Sequence, residues 1–179
     1  MATRIVFLSL LTLLFLAAPA AAQSRQPTAQ EIAAVRDCAT KNQDDIDAGE
    51  QQCLFNLVAT PCLKAAGSAD AAMADCYDIE GAIWDQLLNE NYKTLLGRLD
   101  DEQTTAARAM RRAWIAYRDT TCRFYDDKIR GSMSVMMHAA CVTRETARRA
   151  MLRYSLADCE TPQGPASRPM AEPSARFAD

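Results

Sequence analysis

Histidine is nearly absent from this chain: His138 stands alone among 179 residues. One imidazole cannot build a histidine-rich metal centre, and it leaves a Ser/His/Asp triad with a single candidate base. Glycine is scarce as well, with six residues, and none of the seven cysteines forms a C-x-x-C pair of the kind redox enzymes use. From Gln23 onward there are 27 Ala against only 10 Val and Ile together, a balance that excludes an all-β protein and favours helices. Beyond the first 22 residues no apolar run is long enough to span a bilayer.

Those first residues read as an export signal. Arg4 supplies the positive region, Ile5 to Ala18 the apolar region, and Ala20-Ala21-Ala22 the small residues of a cleavage site, with Gln23 as the new N-terminus. The expected destination is the periplasm or the medium, with no stable membrane insertion after cleavage and no lipid anchor, because the first cysteine is Cys38. In an oxidising compartment thiols pair, so the cysteines read as staples.

Residues 23–158 read as one all-α domain, a bundle of four to five helices, followed by a disordered, Pro-rich tail over 159–179 that holds four of the seven prolines. Thr28-Ala29-Gln30-Glu31 has capping-box spacing and predicts a helix from Ala29 to about Ala39, with Ile32 and Val35 inward. Lys41 to Gln52, with Asp44, Asp45, Asp47, Gly49 and Glu50, reads as a solvated turn. A short helix follows from Glu50 to Gly67, limited or kinked at Pro61. Cys76, Ile79, Ile83, Leu87 and Trp84, Leu88, Tyr92, Leu95 recur at steps of three and four, predicting a long helix from Asp70 to about Leu99, in which Gly81 marks a close crossing. The next helix follows Asp100-Asp101-Glu102 and is read from Ala106, Met110, Ala113, Trp114, Tyr117, Thr121 and Phe124. After a turn at Gly131-Ser132, the last helix runs to about Leu156, with Met133, Met136 and Met137 as core filler and His138 as a partly exposed surface residue.

Charge divides along the chain. Residues 23–100 carry a net −7 and residues 101–160 a net +3. Two solvated faces attracting one another across a bundle account for this. The sharper reading gives the acidic stretch around Asp44 to Glu50 a cationic protein partner. Net charge and export disfavour nucleic acid, despite Arg108, Arg111, Arg112 and Arg118.

Seven cysteines leave at least one unpaired in a monomer. On the expected helices Cys122 and Cys141 flank one turn, Cys62 and Cys76 another, and Cys38 and Cys53 close the acidic stretch. Each loop of this size stabilises the fold by roughly 3 kcal/mol. Residue order alone leaves the connectivity open; Cys159, beside Asp158 and Glu160, is the candidate odd thiol, with neighbours that raise its pKa rather than activate it. Neither a metal site nor any cofactor is expected.

The run Glu80-x3-Trp84-Asp85-x2-Leu88-Asn89-x2-Tyr92-x2-Leu95, followed by Ala113-Trp114-x3-Arg118-Asp119-x2-Cys122 and a later Cys141, resembles the LprI-like lysozyme-inhibitor family of small exported bacterial proteins. The resemblance spans roughly Cys62 to Leu152. It implies a disulfide-tied helical domain of the cell envelope, not an enzyme, whose partner is a protein, with lysozyme first in line. Arg111 departs from the pattern, standing where the family usually shows Gln.

The shared residues admit two readings. In one, Trp84 and Trp114 anchor the core, Arg118 takes a carboxylate from Glu80, Asp85 or Asp119, and Asn89 and Tyr92 complete a polar network. In the other, Asp85, Asn89 and Arg118 form a rim open to a partner. The partner-binding candidates are therefore Asp44, Asp45, Asp47 and Glu50 on the acidic stretch, and Asp85, Asn89, Arg111 and Arg118 on the shared motifs. Inhibition of a lysozyme-type muramidase is the leading function, and a non-inhibitory structural or assembly factor of the envelope the alternative.

Overall fold

The computed structural model describes residues 25–157, with side chains to 152. The expected signal segment, tail and Cys159 lie outside them. Six helices and no strands occur among the described residues: α1 (Ala29–Lys41), α2 (Ile46–Cys53), α3 (Ala59–Ala66), α4 (Asp70–Leu96), α5 (Asp101–Ile129) and α6 (Ser132–Ala157). The count exceeds the four to five expected because the stretch before Gly67 holds two helices where one was read.

The local reason for that split is a buried carboxylate. Glu80, on α4, is fully buried, and its Oε1 accepts from Phe55 N at 2.7 Å and Trp84 Nε1 at 3.0 Å, while its Oε2 accepts from Ala59 N at 2.9 Å. Phe55 N–H and Ala59 N–H are thereby satisfied outside any helix ladder, and the chain breaks between α2 and α3 with Phe55 at φ 65°. Pro61 sits in the first turn of α3, where its missing N–H costs nothing, so it does not kink the helix. The expected acidic turn is also shorter than read. Asp45 accepts from Ala48 N as the N-cap of α2, which places Asp47, Gly49 and Glu50 inside a helix.

Other ends follow local chemistry. Thr28 and Glu31 form the capping box of α1, and Asp100 and Gln103 form a second one on α5. Gly67 at φ 72° and Gly131 at φ 76° supply the left-handed turns after α3 and before α6. Disulfides join Cys38 to Cys53, Cys62 to Cys76 and Cys122 to Cys141, with Cα atoms 5.8, 5.6 and 5.5 Å apart.

The central packing is α4 against α6, which run in the same direction. Ser132 bonds Asp70 at one end, Thr143 Oγ1 donates to the Tyr77 carbonyl at 2.8 Å, and Asn91 Nδ2 reaches the Ala150 carbonyl at 3.4 Å. Val35, Ile79, Ile83, Trp84, Leu87, Leu88, Ala147 and Met151 fill the core where α1, α4 and α6 meet. Arg36 of α1 makes a two-pronged bond to Glu90 of α4, which holds the Glu90 carboxyl below its usual range.

α5 runs back along the α4/α6 pair, mainly against α6, but buries only Ala107 and Cys122. Most of the stripe from which this helix was read does not face the core: Met110, Tyr117 and Phe124 are 39%, 57% and 61% exposed, while Trp114 does pack against it. Periodicity identified the helix correctly, but the side that packs is the adjacent one carrying Ala107, Arg111, Trp114, Arg118 and Cys122. Met133 is likewise exposed rather than core filler, because Ser134 takes the buried side of the first turn of α6, and Met136 and Met137 are half-buried.

Two predictions follow from this packing. A Cβ at Gly81 would lie 2.6 Å from Thr143 Oγ1, a β-branched side chain already held by its bond to Tyr77. Gly81→Ala should therefore destabilise by about 1–2 kcal/mol despite its helix-propensity gain of about 1 kcal/mol, and Thr143→Ala should recover part of the loss in urea titrations. The second concerns Glu80, whose carboxyl is pushed up, first by burial and against the pull of its N–H donors. A raised folded-state pKa means that its contribution is complete below the ordinary carboxylate value and is lost as pH rises through the folded value. Glu80→Gln should cost about 1–3 kcal/mol near neutrality, since an amide offers one accepting oxygen to three donors, and should erase this acid-side leg of the stability profile.

Candidate functional site

The exposed edge where α4 meets α5 gathers the motif residues into one polar strip. The α-helical spacing of Asp85, Asn89 and Tyr92 puts all three on one side of α4. Asn89 Nδ2 donates to Asp85 Oδ2 at 2.8 Å, and Asn89 Oδ1 accepts from Arg111 Nη2 at 2.7 Å. The Arg111 guanidinium lies 4.5 Å from the centre of the Tyr92 ring. A carboxylate, an amide and a guanidinium are thus wired in series, with the cation fixed on an aromatic face.

Two turns further along α5, Arg118 repeats the arrangement. Its guanidinium lies 5.1 Å from the Trp114 ring centre, and its Nε and Nη2 both donate to Asp119 Oδ1, at 2.9 and 2.8 Å. Of the three carboxylates considered for Arg118, its own neighbour Asp119 is the partner. Glu80 is committed to backbone and indole donors, and Asp85 to Asn89. Arg118 is mostly covered, whereas Asp119 and Asp85 reach solvent. The strip therefore combines the two readings of the motifs: Trp84 is core, Trp114 and Tyr92 are the bed for two cations, and the polar tips of Asp85, Asn89, Arg111 and Arg118 line an edge between helices.

The acidic candidates belong to other elements. Asp45 is occupied as an N-cap and Glu50 accepts from Arg148 Nε at 2.8 Å, while Asp44 and Asp47 are exposed. They do not join the α4/α5 strip. His138 is part-exposed, its Nδ1 2.8 Å from Asp126 Oδ2, in a groove shared with Asp78, whose carboxyl is pushed up by burial and then by Asp75. Among the described residues no group of three His, Cys, Asp or Glu side chains is placed to hold a metal ion. No helix among them is long and apolar enough to cross a membrane.

Arg149, on α6, gave no signal in the sequence. Its guanidinium lies 5.8 Å from the Trp114 ring centre, and its Nε and Nη2 are buried without a hydrogen-bond partner. Burial alone pulls its pKa below the arginine norm. Arg149→Met keeps the apolar stem and removes the uncompensated donors, so it should leave stability unchanged or raise it by about 1–2 kcal/mol. A drop of similar size in chemical denaturation would show instead that the contact with Trp114 outweighs the desolvation.

No curated protein and no solved structure matches this chain. A family model described as "Lysozyme inhibitor LprI" matches residues 62–151, half of the sequence, running from Cys62 in α3 to Met151 in α6 and taking in the whole α4/α5 strip. The chain belongs to the LprI lysozyme-inhibitor family.

Proposed function

We propose that this chain is an exported, non-enzymatic protein-binding domain that inhibits lysozyme-type muramidases by occluding the active-site cleft, and that the α4/α5 strip is the docking edge. Family membership carries the inhibitor assignment. The observation that selects the strip over the acidic stretch is position: Asp85, Asn89, Arg111 and Arg118 fall within the matched residues, while Asp44, Asp45, Asp47 and Glu50 precede them. Export, in turn, is supported by the signal-like N-terminus and by three disulfides that need an oxidising compartment.

The chemistry of such an encounter is direct. Glycosidases of this type cleave with a pair of carboxylates flanking the scissile bond. Arg111 and Arg118 are held in place before any partner arrives, so presenting them to those carboxylates costs little side-chain entropy. Asp85 and Asp119 at the same edge would meet the basic surface common among lysozymes and steer the approach.

Lysis of a cell-wall suspension by lysozyme, with and without the chain from Gln23 onward, tests the reading. Slowing is expected at low salt and should fade as ionic strength rises. Arg118→Ala and Arg111→Ala should each weaken inhibition by about tenfold, whereas Asp44→Ala with Asp47→Ala should change it little. No slowing across several lysozyme classes at low salt would leave the structural or assembly role as the better account.

A further inference from the structure

The solvent face of α5 has a pattern that its own fold does not use. Met110, Tyr117 and Phe124 stand seven residues apart and are exposed, and Ala106, Ala113 and Thr120, also seven apart and exposed, stand between them. Steps of three and four over this length describe a coiled-coil seam. At about 100° per residue the seam points roughly 100° around the helix from Ala107, Trp114 and Arg118, on a side that faces solvent.

We propose that this chain forms a two-fold homodimer in which α5 packs antiparallel against α5 of a second copy. The arrangement of sizes and charges selects that occupant. With the two-fold axis near Ile115, Met110 faces Thr120 of the second copy, Tyr117 faces Ala113, and Phe124 faces Ala106, so every large side chain meets a small one. A parallel pair would stack Tyr117 on Tyr117 and leave gaps between alanines. Charge agrees: Asp100, Asp101 and Glu102 in and before the first turn come alongside Lys128 and Arg130 of the second copy, twice over by symmetry, where a parallel pair would set acid against acid. Arg98 and Arg108 near the acidic end, and Asp126 and Asp127 near the basic end, oppose this in part. Asp126, however, is already held by His138. Because the contact is the same patch on both copies, it closes at two and does not propagate.

This inference is independent of the inhibitor reading, since the seam and the α4/α5 strip lie on different sides of α5. The test is sedimentation velocity on the chain from Gln23 onward carrying Cys159→Ser, which removes covalent dimers through that thiol. A monomer–dimer equilibrium is expected with a dissociation constant on the order of 10 μM, as befits a seam of one helix pair. Tyr117→Glu should make the protein monomeric while its circular dichroism and its three disulfides stay intact. Glu102→Lys should weaken the dimer, and adding Lys128→Glu should restore it. In the Cys159→Ser background, Ala116→Cys should cross-link on mild oxidation because residue 116 meets its own copy near the axis, whereas Ala109→Cys should not. A protein that stays monomeric to roughly 200 μM, twentyfold above that constant, overturns the proposal, as does a dimer indifferent to Tyr117→Glu or cross-linking of both cysteine variants alike. A monomer whose binding to lysozyme is lost in Tyr117→Glu would also overturn it and give the seam to the enzyme.

Discussion

The Glu80 carboxylate is the contact on which the arrangement of the first three helices depends. A carboxyl group removed from water is costly unless its lone pairs are met, and here they are met by two backbone N–H groups from the α2–α3 break and by the Trp84 indole. The exchange works in both directions. The break supplies donors that satisfy the acid, and the acid stabilises a break that would otherwise leave N–H groups unpaired within the core. Trp84, one turn along α4 from Glu80, is oriented by the same oxygen and fills the centre of the core. α4 therefore acts as the reference to which α2, α3 and, through Arg36 and Glu90, α1 are aligned.

Much of this was legible from residue order, and the limits have identifiable causes. The capping box at Thr28 and Glu31, the acidic start of α5 and the Gly131 turn are local signals, and each marks a real feature because the chemistry involves residues a few positions apart. The α2–α3 break was not legible, since its cause is a side chain 25 positions downstream of Phe55. The facing of α5 was misread for a different reason. Apolar periodicity reports that a stripe exists, not what lies against it, and this helix has two: one of Trp114 with two arginines that packs inward, and one of Met110, Tyr117 and Phe124 that does not.

The polar strip shows the same division. Asp85, Asn89, Arg111 and Arg118 could be named from the sequence as belonging together, but the order of their connections could not. Asp85 and Arg118 have the right charges to pair, but Asp85 is bonded to Asn89, one turn away and opposite Arg111, and Arg118 is bonded through two of its nitrogens to Asp119. The result is two arginines whose heads rest on aromatic rings and whose donors are partly used. Such side chains are already ordered, which distinguishes this edge from the freely solvated arginines elsewhere on α5.

The three sulfur bridges follow one another along the polypeptide without overlap, each joining a cysteine to the next one in order: 38 with 53, 62 with 76, 122 with 141. A chain threading N-terminus first into an oxidising space would present its thiols two at a time, with each correct mate the nearest one to emerge. Stepwise oxidation in that order gives the native set, so this pairing is one that makes little demand on an isomerase to unscramble wrong bridges.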